Sequence, residues 1–289
     1  MDLLRYLPRL GLAAALGLAP GPASGQGINT NVALAVAEGE GIWRSQLRWT
    51  RARDDPSSLD RESDVLVSSQ ILLYGITPRL TALGILPILL HEEVEVDGDA
   101  AGRDPTAGDL TLLARYIVLR DDYAPLSTRR LGLLGGMKVP SGPDRFGTPS
   151  FDPILGLVGS WAADRHELDA DLLFTVTTER RGVETGDRLR YDLAYRYRLW
   201  PDRFRGRLVQ LNGLVELNGH WTSVTREDGR TRGDTGGHEL FVSPGLQLVT
   251  SRFVVEASLQ LPAFQDLRGN QLERDLVGVL GVRIPFAWP

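Results

Sequence analysis

The sequence predicts an all-β fold: a closed antiparallel transmembrane β-barrel of about 12 strands with short periplasmic turns and long extracellular loops. Three observations carry this. Long stretches alternate large hydrophobes with polar residues at a period of two. Connections between them alternate long and short along the whole chain. The amino terminus carries an export pattern.

The clearest stretch is residues 188–200, RLRYDLAYRYRLW. Leu189, Tyr191, Leu193, Tyr195, Tyr197 and Leu199 fall on one face, against Arg188, Arg190, Asp192, Ala194, Arg196 and Arg198 on the other. A face of this length facing hydrocarbon needs no second sheet to cover it. In lipid every backbone donor must be paired within the protein, so the sheet must close on itself. The same alternation appears in GIWRSQLRWT, GDLTLLARYIV, ELDADLLFTVT, RLVQLNGLVELNGHW and RFVVEASLQLP. Weaker strands are expected at 64–75, 79–91, 129–139, 153–162, 238–249 and 275–286.

The links ITPR, RDDYAPLST, AADR, WPDRFRG and VTSR are tight or short, and the links between them are long. A tilted transmembrane strand needs about 9–11 residues, and the clearest strands reach that length. Trp43, Trp49, Trp200, Trp221 and Trp288 fall near predicted strand ends, where interfacial girdles lie. Gly135, Gly136, Gly213 and Gly245 would ease curvature or leave lumenal space.

Arg5 and Arg9, the apolar run Leu10–Ala19 and small residues before Gly25 read as a signal peptide over 1–25. Residues 26–40 (QGINTNVALAVAEGE) are expected to form a periplasmic lead or small plug, and 41–289 the outer-membrane barrel. At the carboxy terminus, Gly281, Ile284 and Phe286 have the spacing read by the barrel-assembly machinery, although Ala287, Trp288 and Pro289 follow the aromatic.

Composition narrows the function classes. The net charge of −5 gives no concentrated cationic surface, which argues against a nucleic-acid partner. With 0 cysteines, disulfides and thiolate metal sites are excluded. His91, His166, His220 and His238 are scattered, so no metal site is expected, nor any cofactor. GGMKVPSG lacks the spacing of a phosphate-binding loop. HWTS at 220–223 suggests the outer-membrane phospholipases, but His220 is in register with lumen-facing Asn218 and Glu216, so no catalytic residue is assigned.

Charge is concentrated on the predicted lumenal face. Arg44, Arg48, Asp109, Arg115, Lys138, Asp169, Asp171, Arg188, Arg190, Asp192, Arg196, Arg198, Glu216, Glu239, Glu256 and Arg283 are candidates for a solute path. The alternative is that cross-lumen pairing fills and stiffens the barrel.

The segments YGITPRLTALGILP, GDLTLLARY, GLLGGMKVPSG, FDPILGLVGSW, LVELNG and HELFVSPGLQLVTSRFVVEASLQLP together resemble the outer-membrane family labelled "MetA-pathway of phenol degradation". The resemblance runs from about residue 40 to the end. It implies a channel or transporter for passive uptake of small hydrophobic or aromatic molecules, in contact with outer-membrane lipid. The alternative is a structural or adhesive barrel whose lumen is blocked.

Overall fold

The computed structural model describes residues 27–57, 60–143, 146–203 and 209–287. The expected signal peptide and Trp288 lie outside the described residues. The chain is all β. The first strands are β1 (Glu40–Asp54), β2 (Arg61–Gly75), β3 (Leu80–Val96), β4 (Asp99–Arg103), β5 (Thr106–Ala107) and β6 (Leu110–Ala124). Next come β7 (Ser127–Val139), β8 (Asp152–Ala163), β9 (His166–Thr175), β10 (Val183–Glu184) and β11 (Arg188–Trp200). The last are β12 (Gln210–Thr222), β13 (Arg226–Glu227), β14 (Arg230–Thr231), β15 (Gly237–Val249), β16 (Val254–Leu267) and β17 (Glu273–Ala287).

The 12 long strands form one antiparallel wall in the order β2-β1-β17-β16-β15-β12-β11-β9-β8-β7-β6-β3. Pairing of β2 with β3, from Arg61↔Val96 to Gly75↔Thr81, closes it. Closure leaves no free edge, as a strand array in hydrocarbon requires. The five short strands decorate the end of the barrel that carries the long connections, here the loop end; the other is the turn end.

Side-chain direction follows the predicted alternation. Tyr195, Leu193, Leu217, Leu246 and Leu280 lie exposed on the outer face, while Asp192, Ala194, Glu216 and Glu256 are buried inside. Leu155, on the outer face, is 68% exposed. No soluble sandwich leaves such a column bare. Two outward tyrosines anchor their hydroxyls on histidines: Tyr195 to His166 Nδ1 at 2.7 Å and Tyr191 to His238 Nε2 at 2.6 Å.

Two strands run past their expected ends: β16 continues to Leu267, into the expected 263–273 loop, and β3 continues past residue 91. The stretch 92–107 is not a loop. β3 runs on to Val96, pairing Ser63↔Val94 and Arg61↔Val96 across to β2, and returns as β4. The reversal is at Asp97 (φ 52°) and Gly98 (φ 86°), the left-handed pair that a two-residue hairpin turn demands. After β5 the register slips by one residue, from Ile88↔Ala107 to Ile85↔Thr111. This bulge takes Asp109 off the ladder and aims it inward, as bulges do.

Two seams are short: β3 pairs β6 only from Leu80↔Tyr116 to Ile85↔Thr111, and β16–β17 is the other. β16 pairs β17 only from Val254↔Arg283 to Gln260↔Val277. Beyond that, the Gln265 side chain stands in for the ladder. Its Nε2 donates to the Arg274 carbonyl at 3.1 Å and its Oε1 accepts from the Arg274 amide at 3.0 Å.

Candidate functional site

The lumen has two unlike halves. On β2, β3, β6, β7 and β8 the buried inward side chains are largely apolar: Leu73, Leu83, Leu113, Ile117, Leu134, Ile154 and Val158. On β9, β11, β12, β15, β16, β17 and β1 they are largely polar and charged.

In the polar half, opposite charges interlock. Glu256 accepts from Arg44 Nη2 at 2.7 Å and lies 2.6 Å from Arg283 Nη2. Arg190 reaches Asp192 at 3.0 Å and Asp171 at 3.4 Å. Arg196 pairs with Glu167, Arg198 with Asp164 at 3.0 Å, and Arg274 with Glu239. Neutral amides knit the charges together. Asn218 Nδ2 donates to Asp192 at 3.0 Å, Ser243 Oγ donates to Asn218 Oδ1 at 2.6 Å, and Gln247 Nε2 donates to Glu256 at 3.1 Å. Arg48 donates to Gln260 Oε1 at 2.6 Å. Asp169 accepts from Ser160 Oγ at 2.5 Å. At the turn end, the recess between Arg196, Arg198, Glu167 and Asn212 holds only about 30 Å³, room for about one water.

The remaining predicted residues lie at the loop end or in the apolar half. Asp109 accepts from Lys138 Nζ at 3.1 Å and from the backbone amides of Gly142 (2.9 Å) and Thr148 (2.7 Å). Lys138 also lies 2.9 Å from Asp152. Together they hold the 140–151 connection over the lumen's edge. Arg188 is exposed where β11 begins. Arg115 lies in the apolar half, 2% exposed. At the carboxy terminus, Ile284 faces outward, the Phe286 ring lies over Gly41, and the Gly281 backbone closes on the Glu256 carboxylate.

Residues 27–38 thread the lumen between the two halves. Gly27–Asn31 lies on the charged wall, where the Ile28 side chain packs in a small apolar patch with Leu214, Val277 and Val279. The Ile28 and Asn29 amides donate to the Glu216 carboxylate at 2.8 and 2.9 Å, and the Asn31 amide to Asp171 at 2.5 Å. Arg283 donates to the Gly27 carbonyl at 2.7 Å, Arg44 and Gln46 to that of Ile28, and Arg48 to Asn29 Oδ1 at 3.1 Å. The apolar part, Val32–Val36, lies on the apolar wall. Ala33 donates to Ser160 Oγ at 2.9 Å, Val36 to Thr81 Oγ1 at 3.1 Å, and the Val32 carbonyl accepts from Arg115 Nη1 at 2.9 Å. Ala33 and Val36 join the apolar cluster. The segment then passes Gly75, where Glu38 forms a parallel bridge. A Cβ on Gly75 would lie 2.0 Å from the Ala37 carbonyl, so only glycine admits the crossing. The segment's polar groups thus meet the charged wall, Ala33 and Val36 meet the apolar one, and Ile28 sits on the apolar patch within the charged half.

A second recess, of about 860 Å³, is lined by outward Leu47, Trp49, Tyr195, Leu246, Leu259 and Leu280. It opens on the outer face and is no part of the lumen. The phospholipase-like pair is not assembled: His220 packs against Phe241, Ser223 donates its backbone amide to the Asp187 carbonyl, and among the described residues no hydrogen bond joins them. No metal-holding group of three or more His, Cys, Asp or Glu occurs among the described residues.

Sequence reasoning missed the apolar inner wall; for residues 26–40 it offered a lead or a small plug but not which wall each part meets. A partial signal existed for the first: four of the five strands that make this wall, β2, β3, β7 and β8, read as weak alternators, whereas β6 read as a clear one.

The chain is similar in structure to a COG4313 outer membrane channel from Pseudomonas putida F1, with a TM-score of 0.69 at 17% identity over 88% of this chain and 98% of that one. The likeness shows the fold: a closed β-barrel of the kind found in outer membranes. More distant likenesses are the NanC porin (TM-score 0.45, 13% identity, 84% of this chain and 98% of that chain) and the CymD monoaromatic hydrocarbon channel (TM-score 0.40, 10% identity, 88% and 90%). No protein-family model and no curated protein matches the chain.

Proposed function

We propose that this protein is an outer-membrane channel that passes small hydrophobic or aromatic molecules by diffusion, with residues 27–38 as a lumenal constriction. The observation that supports this best is the two-sided lumen. One wall offers an apolar surface and the other a hydrogen-bonded charge array, and the segment between them fits both. A purely structural barrel would gain no more from an apolar inner wall than from a uniformly packed one. The resemblance of YGITPRLTALGILP and HELFVSPGLQLVTSRFVVEASLQLP to the MetA-pathway family points the same way. In this reading residues 1–25 direct export, both termini are periplasmic, the outward hydrophobes face lipid, and Gly281, Ile284 and Phe286 present the last strand to the assembly machinery.

The density of bonds to residues 27–36 favours a second reading, a structural or adhesive barrel with a permanently filled lumen. Planar-bilayer recording separates the two. Channel function gives discrete conductance steps; bilayers that stay sealed at high protein loading, with no uptake of an aromatic solute into liposomes, overturn it. Heat-modifiable gel migration in detergent checks that the barrel is folded in each preparation.

A further inference from the structure

Arg115 differs from the other buried cations of the lumen. Arg44 and Arg283 share Glu256, Arg190 lies against Asp171 and Asp192, and Lys138 bridges Asp109 and Asp152. Arg48 has two amide oxygens. Among the described residues Arg115 has no carboxylate. Its Nη1 donates to the Val32 carbonyl, and Nε and Nη2 have no hydrogen-bond partner among the described residues. Its neighbours along the inner face of β6 are Leu113 and Ile117, and its cross-strand partners are Leu134 on β7 and Thr81 on β3. A guanidinium held in such surroundings without a counter-ion is costly.

We propose that Arg115 is the anion-recognition point of a solute site in the apolar half of the lumen, and that this site takes a small aromatic monocarboxylate such as benzoate. This rests on the reading of the lumen as a solute path. The guanidinium fork matches a carboxylate in geometry and charge, which a backbone carbonyl does only in part. The Thr81 hydroxyl, opposite Arg115 in the ladder, supplies a further donor. Leu113, Ile117 and Leu134 offer the ring a dry surface. Arg115 has no second cation beside it in the ladder, which selects a monoanion over a dianion. Arg115 and Thr81 now hold the backbone of Val32 and Val36. Solute and segment therefore compete for the same two side chains, and a bound carboxylate loosens the constriction.

The test is isothermal titration of the folded full-length barrel in detergent with benzoate and with benzyl alcohol, its neutral counterpart. The wild type should bind benzoate at least about tenfold more tightly, the scale of a charge-assisted hydrogen bond. Arg115→Gln should abolish that preference, and Arg115→Lys should keep part of it. Heat-modifiable migration confirms folding of each variant. Should both variants fail to fold, an Ala35→Cys variant decides, since the chain has 0 native cysteines. Benzoate should speed maleimide labelling of position 35 severalfold and benzyl alcohol should not. Equal binding of the two ligands, an undiminished preference in Arg115→Gln, or labelling indifferent to benzoate overturns the site. A barrel that conducts but shows no preference loses the site and keeps the channel. One that seals bilayers yet binds benzoate through Arg115 loses the channel and keeps the site.

Discussion

The apolar and the charged halves of the lumen are built from the same strand geometry and differ only in what every second residue is. On β6–β8 the inward positions hold Ile117, Leu134 and Val158, which pack against one another and against Ala33 and Val36. On β12–β17 they hold Glu216, Gln247, Glu256 and Arg283, which are satisfied by named partners. The first half is held by contact area, which is non-directional and tolerant of small shifts. The second is held by geometry, where losing one partner strands another. A barrel interior need not choose between packing and pairing; this one uses each on its own side, with the 27–38 segment as the joint.

The comparison is broken most severely by removing a carboxylate from the charged side. Glu256→Ala leaves Arg44 and Arg283 facing each other over buried ground and should cost about 3–5 kcal/mol. The measurement is the urea midpoint of folding into lipid vesicles. A midpoint equal to wild type would mean that water, not Glu256, neutralises the pair. On the apolar side, Ile117→Ala should cost about 2–4 kcal/mol by cavity formation in the same assay, with conductance little changed. If Ile117→Ala proves costlier than Glu256→Ala, the ranking of the two halves is wrong.

Glu216→Gln is a milder probe of the joint. It leaves the Ile28 and Asn29 amides with a neutral acceptor and weakens their hold by about 1–2 kcal/mol. Labelling of a cysteine at position 35 should accelerate about 5- to 30-fold; an unchanged rate would place the restraint on the apolar side alone.

The smallest effect is at the loop end, outside both halves. Asp55 accepts from Arg61 Nη2 at 2.7 Å and from the amides of Ser57 and Arg61, each at 2.9 Å. The Arg61 guanidinium, helped by these amides, holds the Asp55 carboxyl far below the ordinary value of 3.8. Because the folded value is depressed, this tie is present above the unfolded pKa and is lost only as pH falls toward the folded one. Hydrogen exchange at the Ser57 and Arg61 amides, corrected for intrinsic rates, should stay protected at pH 5 and lose protection in strong acid. Loss of protection already at neutral pH would show that the loop is held by something else.

The wall was legible in the sequence because lipid outside and charge inside write a two-residue period directly into stretches such as 188–200. The apolar half was harder to see for a physical reason. Strands at 64–75, 79–91, 129–139 and 153–162 alternate weakly because both their faces meet apolar surroundings, one lumenal and one external. Blurred period alone did not mark the dry wall, since 238–249 and 275–286 are as weak and carry Glu239, Gln247 and Arg283 inward. The charged residues announced themselves, but not their partners, since pairing across the lumen joins residues as remote as Arg44 and Glu256. The segment GINTNVALAV shows its two-part polarity in sequence; which part meets which wall depends on the closed barrel.

The unfinished β16–β17 seam has a mechanical meaning. A cylinder whose every rung is main chain has no favoured line of tearing, whereas one stitched at its rim by the glutamine at position 265 does. Lateral tension in the surrounding sheet of lipid would fall on this seam and on the short β3–β6 one, and at the former a single amide side chain sets how far the rim resists.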